Sequence, residues 1–345
     1  MMRWGEGVGR RCLSAAPLVV GVAVLVGLCW QFGLGELAAA FGRVSPAYLS
    51  AYMVLAAVVL VGYSLRWGAA ARALGARLPL ARLVAARLAG DAVGALVPSA
   101  KLAGEPVRIA LMYAGGVGGT QAGAAVTIDR ALELISNMLC VLAYVAVFSV
   151  AQVLGSSQRA ALILVLTILA LLGLLALPLA QLRRGRRPLA WCYSERARRM
   201  LPRSASWMPA LRRTEEHMVG FFRDHPATFV SGLAGSLLIE VLVIGEYYCL
   251  LAGFGVVLDL PTLLMVLLGT GVARAAPSPA GLGALEAGQV GVLAFAGGRP
   301  ELGFVVGVVI RLHESAWMAA GLLVLSAQGL TLSRLRLAAA QKAAA

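Results

Sequence analysis

Twelve ionisable residues lie inside apolar segments of this 345-residue chain. A charge at the centre of a membrane helix costs about 2.5–3.5 kcal/mol, so such residues face a partner or a water-filled cavity. The five basic and seven acidic residues are Lys101, Arg108, Arg130, Arg274, Arg311, Glu105, Asp129, Glu133, Glu240, Glu246, Glu286 and Glu314. Arginine grips phosphate through two parallel hydrogen bonds and lysine acts as a point charge. These residue types therefore predict the handling of a charged group inside a membrane.

Several of these charges lie at or after two Pro-Ser breaks in the sequence. The break from Pro98 to Glu105 and the break from Pro277 to Glu286 both read Pro-Ser, then glycine, then glutamate. Farther along each half, an arginine in an apolar helix precedes a glutamate by three residues. These pairs are Arg130 with Glu133 and Arg311 with Glu314. Three interpretations stay open: an internal repeat with functional charges, chance similarity of short motifs, or mutual neutralisation of neighbours on one helical face.

The hairpin tips favour anion binding. A helix that begins after a Pro-Gly break presents unpaired amides and the positive end of its dipole. Lys101 and Arg108 flank the first such start, and glycine lets the backbone approach a ligand closely. Glu105 and Glu286 are expected to orient arginines or carry a proton. The predicted substrate-binding residues are Lys101, Gly104, Glu105, Arg108, Asp129, Arg130, Glu133, Pro279, Gly281, Gly283, Glu286, Arg311 and Glu314. No catalytic residue, metal or cofactor is predicted.

The composition places these residues in an integral membrane protein. The chain is 60% hydrophobic and 13% charged, with a mean hydropathy of +0.84. Soluble domains approach a quarter charged residues, so a large soluble catalytic domain is excluded. Apolar runs predict six full spans at 15–33, 47–65, 121–151, 160–181, 228–252 and 302–328. The fold class is thus all-α and polytopic, with the two breaks forming re-entrant or broken-helix hairpins.

Basic residues set the orientation, because short loops rich in arginine and lysine stay cytoplasmic. Both termini and the linker at 182–226 are therefore expected inside. The span at 47–65 is predicted to return to the inside at Arg66. The basic residues that follow it are Arg72, Arg77, Arg82 and Arg87. With this orientation, segment 67–120 enters and leaves from the inside and segment 254–300 from the outside.

Opposite insertion of matched hairpins predicts an inverted repeat within one transmembrane domain of residues 1–345. The first half, 1–181, contains hairpin 67–120, and the second half, 227–345, contains hairpin 254–300. In transporters built this way the substrate site lies at the repeat interface near the midplane. A cleaved signal peptide is the alternative for the first span. We favour a retained span, because with it in place the alternation of spans agrees with both termini and the linker at 182–226 lying inside.

The linker carries much of the net charge of +14. Segment 182–226 holds eleven arginines and four carboxylates, a net of +7. Basic residues between spans indicate contact with anionic headgroups and exclude nucleic acid as the partner. Trp191 and Trp207 among them are typical of interfacial helices. The alternative is that the linker is a topology determinant only.

Five scattered cysteines and three histidines predict neither disulfides nor a metal site. A homo-oligomer is compatible with the sequence.

At these residues the chain resembles the bacterial flippase-like membrane proteins that share the transmembrane region of lysylphosphatidylglycerol synthases and include hopanoid-cluster members. The resemblance covers roughly residues 15–330. The resemblance rests on three motifs, namely Gly104-Glu105-Pro106-Val107-Arg108, Asp129-Arg130, and Pro279-Ala280-Gly281-Leu282-Gly283-Ala284-Leu285-Glu286. The last is similar to the family's Pro-Gly-Gly-Leu-Gly-x-x-Glu, with Ala280 replacing a glycine. Gly94-Ala95 stand where members often carry asparagine.

The resemblance implies movement of a phospholipid, hopanoid or other lipid-linked molecule between the leaflets of a bacterial cytoplasmic membrane. It does not imply aminoacyl transfer, which a soluble C-terminal domain performs in the synthases. We expect a headgroup to enter a polar cavity between the hairpins and to be neutralised by Lys101, Arg108, Arg130 and Arg311. One alternative is a membrane-embedded enzyme or accessory factor of isoprenoid, hopanoid or glycolipid synthesis. Another is a scaffold for a partner complex.

Overall fold

The computed structural model describes most of the predicted spans and the helices of both hairpins, without the Pro-Ser breaks between them. The described residues are 42, 44–97, 102–150, 158–194, 196, 199, 207–275, 283–295 and 300–328. The predicted first span at 15–33 lies outside them. So do three predicted site residues, namely Lys101, Pro279 and Gly281.

Ten α-helices make up nearly all of the described part. They are α1 Pro46–Ala73, α2 Leu80–Leu96, α3 Glu105–Ala114, α4 Gly119–Val150, α5 Gln158–Arg183, α6 Met208–Asp224, α7 Pro226–Gly253, α8 Leu260–Ala275, α9 Ala284–Phe295 and α10 Pro300–Ala327. Two 3₁₀ segments, Leu102–Gly104 and Ala190–Tyr193, complete the described secondary structure. No strand occurs in these residues. The all-α prediction is confirmed.

Local sequence fixes the helix ends. Helices α1, α7 and α10 begin at a proline, whose fixed φ suits the first turn and whose missing N–H leaves no donor unpaired there. Helix α1 ends before Gly75, which has a φ of 85°. Its N–H donates to Arg72 O at 2.9 Å, and the Ala76 N–H donates to Ala71 O at 2.9 Å. A residue with a side chain rarely adopts this backbone conformation, so glycine terminates the helix here.

Five helices are long and apolar enough to cross a bilayer. They are α1, α4, α5, α7 and α10, and they correspond to the predicted spans that fall within the described residues. Helix α1 has 28 residues, about 42 Å at 1.5 Å per residue, which exceeds a hydrocarbon core of about 30 Å. The protein is therefore a multi-pass membrane protein, as predicted.

The two predicted hairpins consist of shorter helices. The first contains α2, with 17 residues, and α3, with 10. The second contains α8, with 16 residues, and α9, with 12. Helices of 10 to 12 residues reach about 15–18 Å, too little to cross the membrane alone. Their lengths suit re-entrant segments, and the opposite sides of insertion stay a prediction.

The predicted end of the second span differs from the structure. Helix α1 continues past Arg66 to Ala73, and Arg66 is buried. Arg87 is also buried, in α2. Both arginines have carboxylate partners inside the protein, which removes the energetic reason to place them at a helix end in water. The two residues that we expected to mark topology belong to the protein interior.

The described residues fall into two compact units, each assembled from separated segments. The first unit lies within Met1–Ala57, Asp91–Gly104 and Leu242–Ala320. The second lies within Val58–Gly90, Glu105–Val241 and Gly321–Ala345. In the first unit α8 packs against α9, and in the second α4 packs against α3, α5 and α6.

The basic linker contributes to the core of the second unit. Helix α6 turns the apolar side chains of Met218, Phe221 and Phe222 towards α4 and α5. The residues that they join are Ala70, Ala124, Ile128, Leu132 and Leu182. The apolar face of α6 is therefore occupied by protein, which differs from the interfacial helix that the sequence suggests. Trp191 and Trp207, in contrast, are exposed.

Candidate functional site: two buried ion clusters

Asp129 lies at the centre of a charged cluster in the second unit. Arg66 Nε donates to its Oδ1 at 2.8 Å, and Arg108 Nη2 donates to its Oδ2 at 2.6 Å. Arg87 Nη1 reaches the same Oδ2 at 3.3 Å. Arg66 also donates to the hydroxyl of Ser236 at 3.0 Å. One fully buried carboxylate thus joins arginines from α1, α2 and α3.

Two further carboxylates surround this centre. Glu133 Oε1 accepts from Arg130 Nη1 at 2.9 Å, and its Oε2 lies 3.8 Å from Arg87 Nη2. Glu105 Oε2 accepts from Arg108 Nη1 at 3.1 Å. We call this set of seven residues the Asp129 cluster. Its members are Arg66, Arg87, Arg108, Arg130, Glu105, Asp129 and Glu133. With every group ionised, four arginines oppose three carboxylates, which leaves one positive charge.

Exposure changes steadily across the Asp129 cluster. The side chains of Asp129, Arg66 and Arg108 are 0%, 2% and 3% exposed. At the other edge, those of Glu105, Glu133 and Arg130 are 18%, 17% and 20% exposed. Three members of the cluster are therefore partly exposed, and its centre is buried.

Aromatic rings cover the inner arginines. The guanidinium carbon of Arg108 lies 4.1 Å from the centroid of the Trp67 ring, and that of Arg87 lies 4.5 Å from the Tyr63 ring. Cations are attracted to such ring faces. Two donors of this stack, Arg108 Nε and Trp67 Nε1, are buried and have no hydrogen-bond partner among the described residues. Buried donors of this kind are uncommon in folded proteins.

Helix geometry explains how the Asp129 cluster forms. Asp129 and Glu133 are four residues apart on α4 and so share a face, as do Tyr63 and Arg66, three apart on α1. Gly232 brings α7 close to α4, because a Cβ there would lie 2.9 Å from Leu132 Cδ1. That approach places Ser236, one turn later, beside Arg66. Small residues at such crossings are typical of membrane helix pairs.

The first unit contains a second cluster, made of Glu286, Arg311 and Glu314. Arg311 Nε donates to Glu286 Oε1 at 2.9 Å, and its Nη2 donates to Oε2 at 3.3 Å. The N–H of Gly283 also donates to Glu286 Oε2 at 3.0 Å. Glu314 Oε2 accepts from Arg311 Nη1 at 3.5 Å. Glu286 therefore caps its own helix, so a chain carboxylate fills the anion position expected at this hairpin tip.

His313 lies near this second cluster and has partners at both ring nitrogens. Tyr52 Oη is 2.8 Å from Nδ1, and the indole N–H of Trp317 donates to Nε2. An indole nitrogen only donates, so Nε2 accepts and carries no proton in this geometry.

The structure assembles the predicted site residues into two sets. Glu105, Arg108, Asp129, Arg130 and Glu133 share one cluster, and Glu286, Arg311 and Glu314 share the other. Gly104 is buried, and the N–H of Gly283, whose φ is 76°, contacts Glu286. Arg66 and Arg87 are members of the Asp129 cluster that we did not predict as site residues, nor did we predict the rings of Tyr63 and Trp67 that cover its arginines. Arg66 could have been predicted as a buried charge, because it is an isolated charge in an apolar run that continues beyond it.

Other polar residues of the spans are also partnered. Tyr144 donates to Glu240 Oε1 at 2.7 Å, and Thr270 accepts from the buried Gln289. Among the described residues no group of three or more histidine, cysteine or acidic side chains could hold a metal ion.

The linker has its own buried carboxylate. Glu215 accepts from the Leu189 N–H at 2.6 Å and from the Tyr193 hydroxyl. These bonds fasten the 3₁₀ segment to α6. Burial, together with the hydrogen bond to the negatively charged Glu215, raises the pKa of Tyr193.

The helices and clusters define a polytopic membrane protein with ion pairs buried among its spans. Residues 14–327 match the family described as "Lysylphosphatidylglycerol synthase TM region", and the chain belongs to that family. It is also similar to a "UPF0104 membrane protein" of Methanothermobacter thermautotrophicus. The two are 27% identical over 319 residues, which cover 88% of this chain and 92% of the relative. The resemblance seen in the sequence is thus confirmed at the level of the family.

Proposed function

We propose that this protein moves lipids, or lipid-linked molecules, between the leaflets of a bacterial cytoplasmic membrane. The observation that carries the proposal is the Asp129 cluster. It places four arginines and three carboxylates among apolar spans, with a buried centre and three partly exposed members. A headgroup needs polar surface during passage, because a charge in hydrocarbon costs several kcal/mol.

The energetics favour a functional role over a purely structural one. Replacing a buried ion pair by well-packed apolar residues is often neutral or stabilising. Seven ionisable residues in the Asp129 cluster and three in the second cluster are therefore a costly way to join helices. The free-energy cost of burying these residues is explained if they form a surface that replaces water around a passing headgroup.

No bond-making step is part of the proposal. Each carboxylate of the Asp129 cluster is ion-paired with arginine, which suits neutralisation of charge better than general-base chemistry.

Both termini face the cytoplasm in the proposed orientation. The exposed Trp191 and Trp207 and the arginines beside them contact anionic headgroups at that surface.

Deletion of the gene distinguishes translocation from synthesis. For a translocator, the lipids of the deletion strain contain the same species as the parent, with one species redistributed between leaflets. Leaflet composition is measured with a membrane-impermeant amine- or headgroup-reactive label, followed by mass spectrometry. Complete loss of a modified lipid would instead favour a membrane-embedded enzyme. Unchanged leaflet distribution of every species would contradict the proposal.

A further inference from the structure

We propose that the Arg108 edge of the Asp129 cluster binds the phosphate of an anionic headgroup, and that Glu105 occupies this position when the ligand is absent. The inference rests on the proposed function and names the class of its substrate. It concerns the second compact unit alone. Three independent features of that unit support it.

The first feature is charge. With every group ionised, the seven members of the Asp129 cluster carry one net positive charge among themselves, within apolar spans where charges need partners. Displacing Glu105 from Arg108 into water adds a second positive charge to the site. A phosphate with one negative charge returns the site to its original net charge, and one with two negative charges neutralises it, whereas a zwitterionic headgroup leaves both positive charges in excess.

The second feature is the pair of unpaired donors. Arg108 Nε and Trp67 Nε1 are buried, belong to stacked side chains, and have no partner in the described part of the chain. Both are donors only, so the missing partner is an acceptor. Phosphate oxygens accept several hydrogen bonds at once, and an arginine offers two of its N–H groups to them in parallel.

The third feature is the position of Glu105. It is the first residue of α3, and its side chain is 18% exposed while its partner Arg108 is 3% exposed. Its bond to Arg108 spans a single helical turn, so a rotation about side-chain bonds releases it without movement of the backbone. Asp129 has no such freedom, because three arginines hold it and its side chain has no exposed surface.

The three features together describe exchange of carboxylates. Glu105 leaves Arg108 Nη1 for the exposed edge, and a phosphate oxygen takes its place. Asp129 stays on Arg108 Nη2 and keeps the guanidinium in position throughout.

Lipid retention by the purified full-length protein tests this inference. The wild type and its variants are mixed in detergent with equal amounts of phosphatidylglycerol and phosphatidylcholine, and bound lipid is counted by native mass spectrometry. We expect preferential binding of phosphatidylglycerol. Glu105→Gln should strengthen it, because the competing charge is gone, and Arg108→Gln should weaken it by about tenfold or more, as expected for loss of a charge-assisted bond. Arg108→Lys should fall between, since it keeps the charge but loses the paired N–H groups.

Inorganic phosphate distinguishes the source of the ligand. Competition by millimolar phosphate supports a site for phosphate itself, and binding of phosphatidylglycerol that resists it supports a site for a lipid headgroup. Equal retention of both lipids by all variants, or weaker binding in Glu105→Gln, would overturn the inference. A protein that binds phosphate but moves no lipid would keep the site and refute the proposed function. Intact mass and a monodisperse elution profile confirm that each variant is folded.

Discussion

The carboxylate of Glu286, which has no exposed surface, forms two hydrogen bonds with the guanidinium of Arg311, 25 residues farther along the chain. This pair joins α9 to α10 within the first unit. The partners differ in surroundings, because Arg311 is 15% exposed and has Glu314 as a second partner. Their contributions to stability should therefore differ as well.

We expect Arg311→Gln to be more destabilising than Glu286→Gln. The first leaves a fully buried carboxylate without its cation, and removing one partner of a buried pair costs about 3–5 kcal/mol. The second leaves an arginine that still has Glu314. The double variant should recover part of the loss of Arg311→Gln. Unfolding in mixed micelles with increasing dodecyl sulfate measures these free energies, and equal effects of the two single variants would contradict the expectation.

Asp129→Asn should be the most damaging single substitution in the Asp129 cluster. It removes the fully buried negative charge that three buried arginines share, so their mutual repulsion is opposed only by Glu105 and Glu133 at the partly exposed edge. Glu133→Gln is the matched control, because it removes one charge from the accessible edge of the same cluster. A thermal shift assay in detergent should show a much larger drop in melting temperature for Asp129→Asn. A larger drop for Glu133→Gln would refute the central position of Asp129.

Gly303→Ala should destabilise the packing of α10 on α9. A Cβ at position 303 would lie 2.6 Å from the carbonyl oxygen of Gln289, a backbone atom that cannot move alone. Gly291→Ala is the control on α9, since a Cβ there meets nothing within 4 Å. Alanine favours a helix over glycine by about 0.5–1 kcal/mol, so the control should be neutral or stabilising. Melting temperatures of the two variants give the test, and a stabilised Gly303→Ala would show that the helices are not in contact.

The Tyr193 phenol should titrate at higher pH than a free tyrosine, whose pKa is about 10. Because its pKa is raised in the folded protein, its contribution to stability is fully present below pH of about 10 and is lost as pH rises through the folded-state value. Absorbance at the tyrosinate band, as the difference between wild type and Tyr193→Phe, isolates this group. Glu215→Gln removes the neighbouring negative charge and should shift the step to lower pH. A step below pH 10 in the wild type would contradict the bond to Glu215.

The sequence predicts the local part of this structure well. Long apolar runs predict α1, α4, α5, α7 and α10, because length and hydropathy alone determine whether a helix can span a bilayer. The pairs Arg130 with Glu133 and Arg311 with Glu314 follow from helical spacing, and both are ion-paired in the structure. Nothing beyond one turn of helix is needed to predict them.

The long-range part required the packing of helices. Asp129 contacts Arg66 across 63 residues and Arg87 across 42, and no sequence period reports such neighbours. Both arginines also match the pattern of basic residues near the cytoplasmic end of a span, and that pattern does not indicate that they are buried and ion-paired. Burial of Trp67 and the approach at Gly232 distinguish the two cases, and both depend on tertiary structure.

The most direct test of the proposed function is the rate at which lipid crosses reconstituted vesicles. Purified protein is incorporated into vesicles with a trace of fluorescent phosphatidylglycerol, and dithionite quenches the label in the outer leaflet. We predict protein-dependent loss of the protected inner-leaflet signal, strongly slowed by Arg108→Ala and Arg130→Ala. Arg212→Ala, at an exposed ion pair on α6, should match the wild type. A protected signal identical to that of protein-free vesicles, or equal rates for all four proteins, would contradict the account.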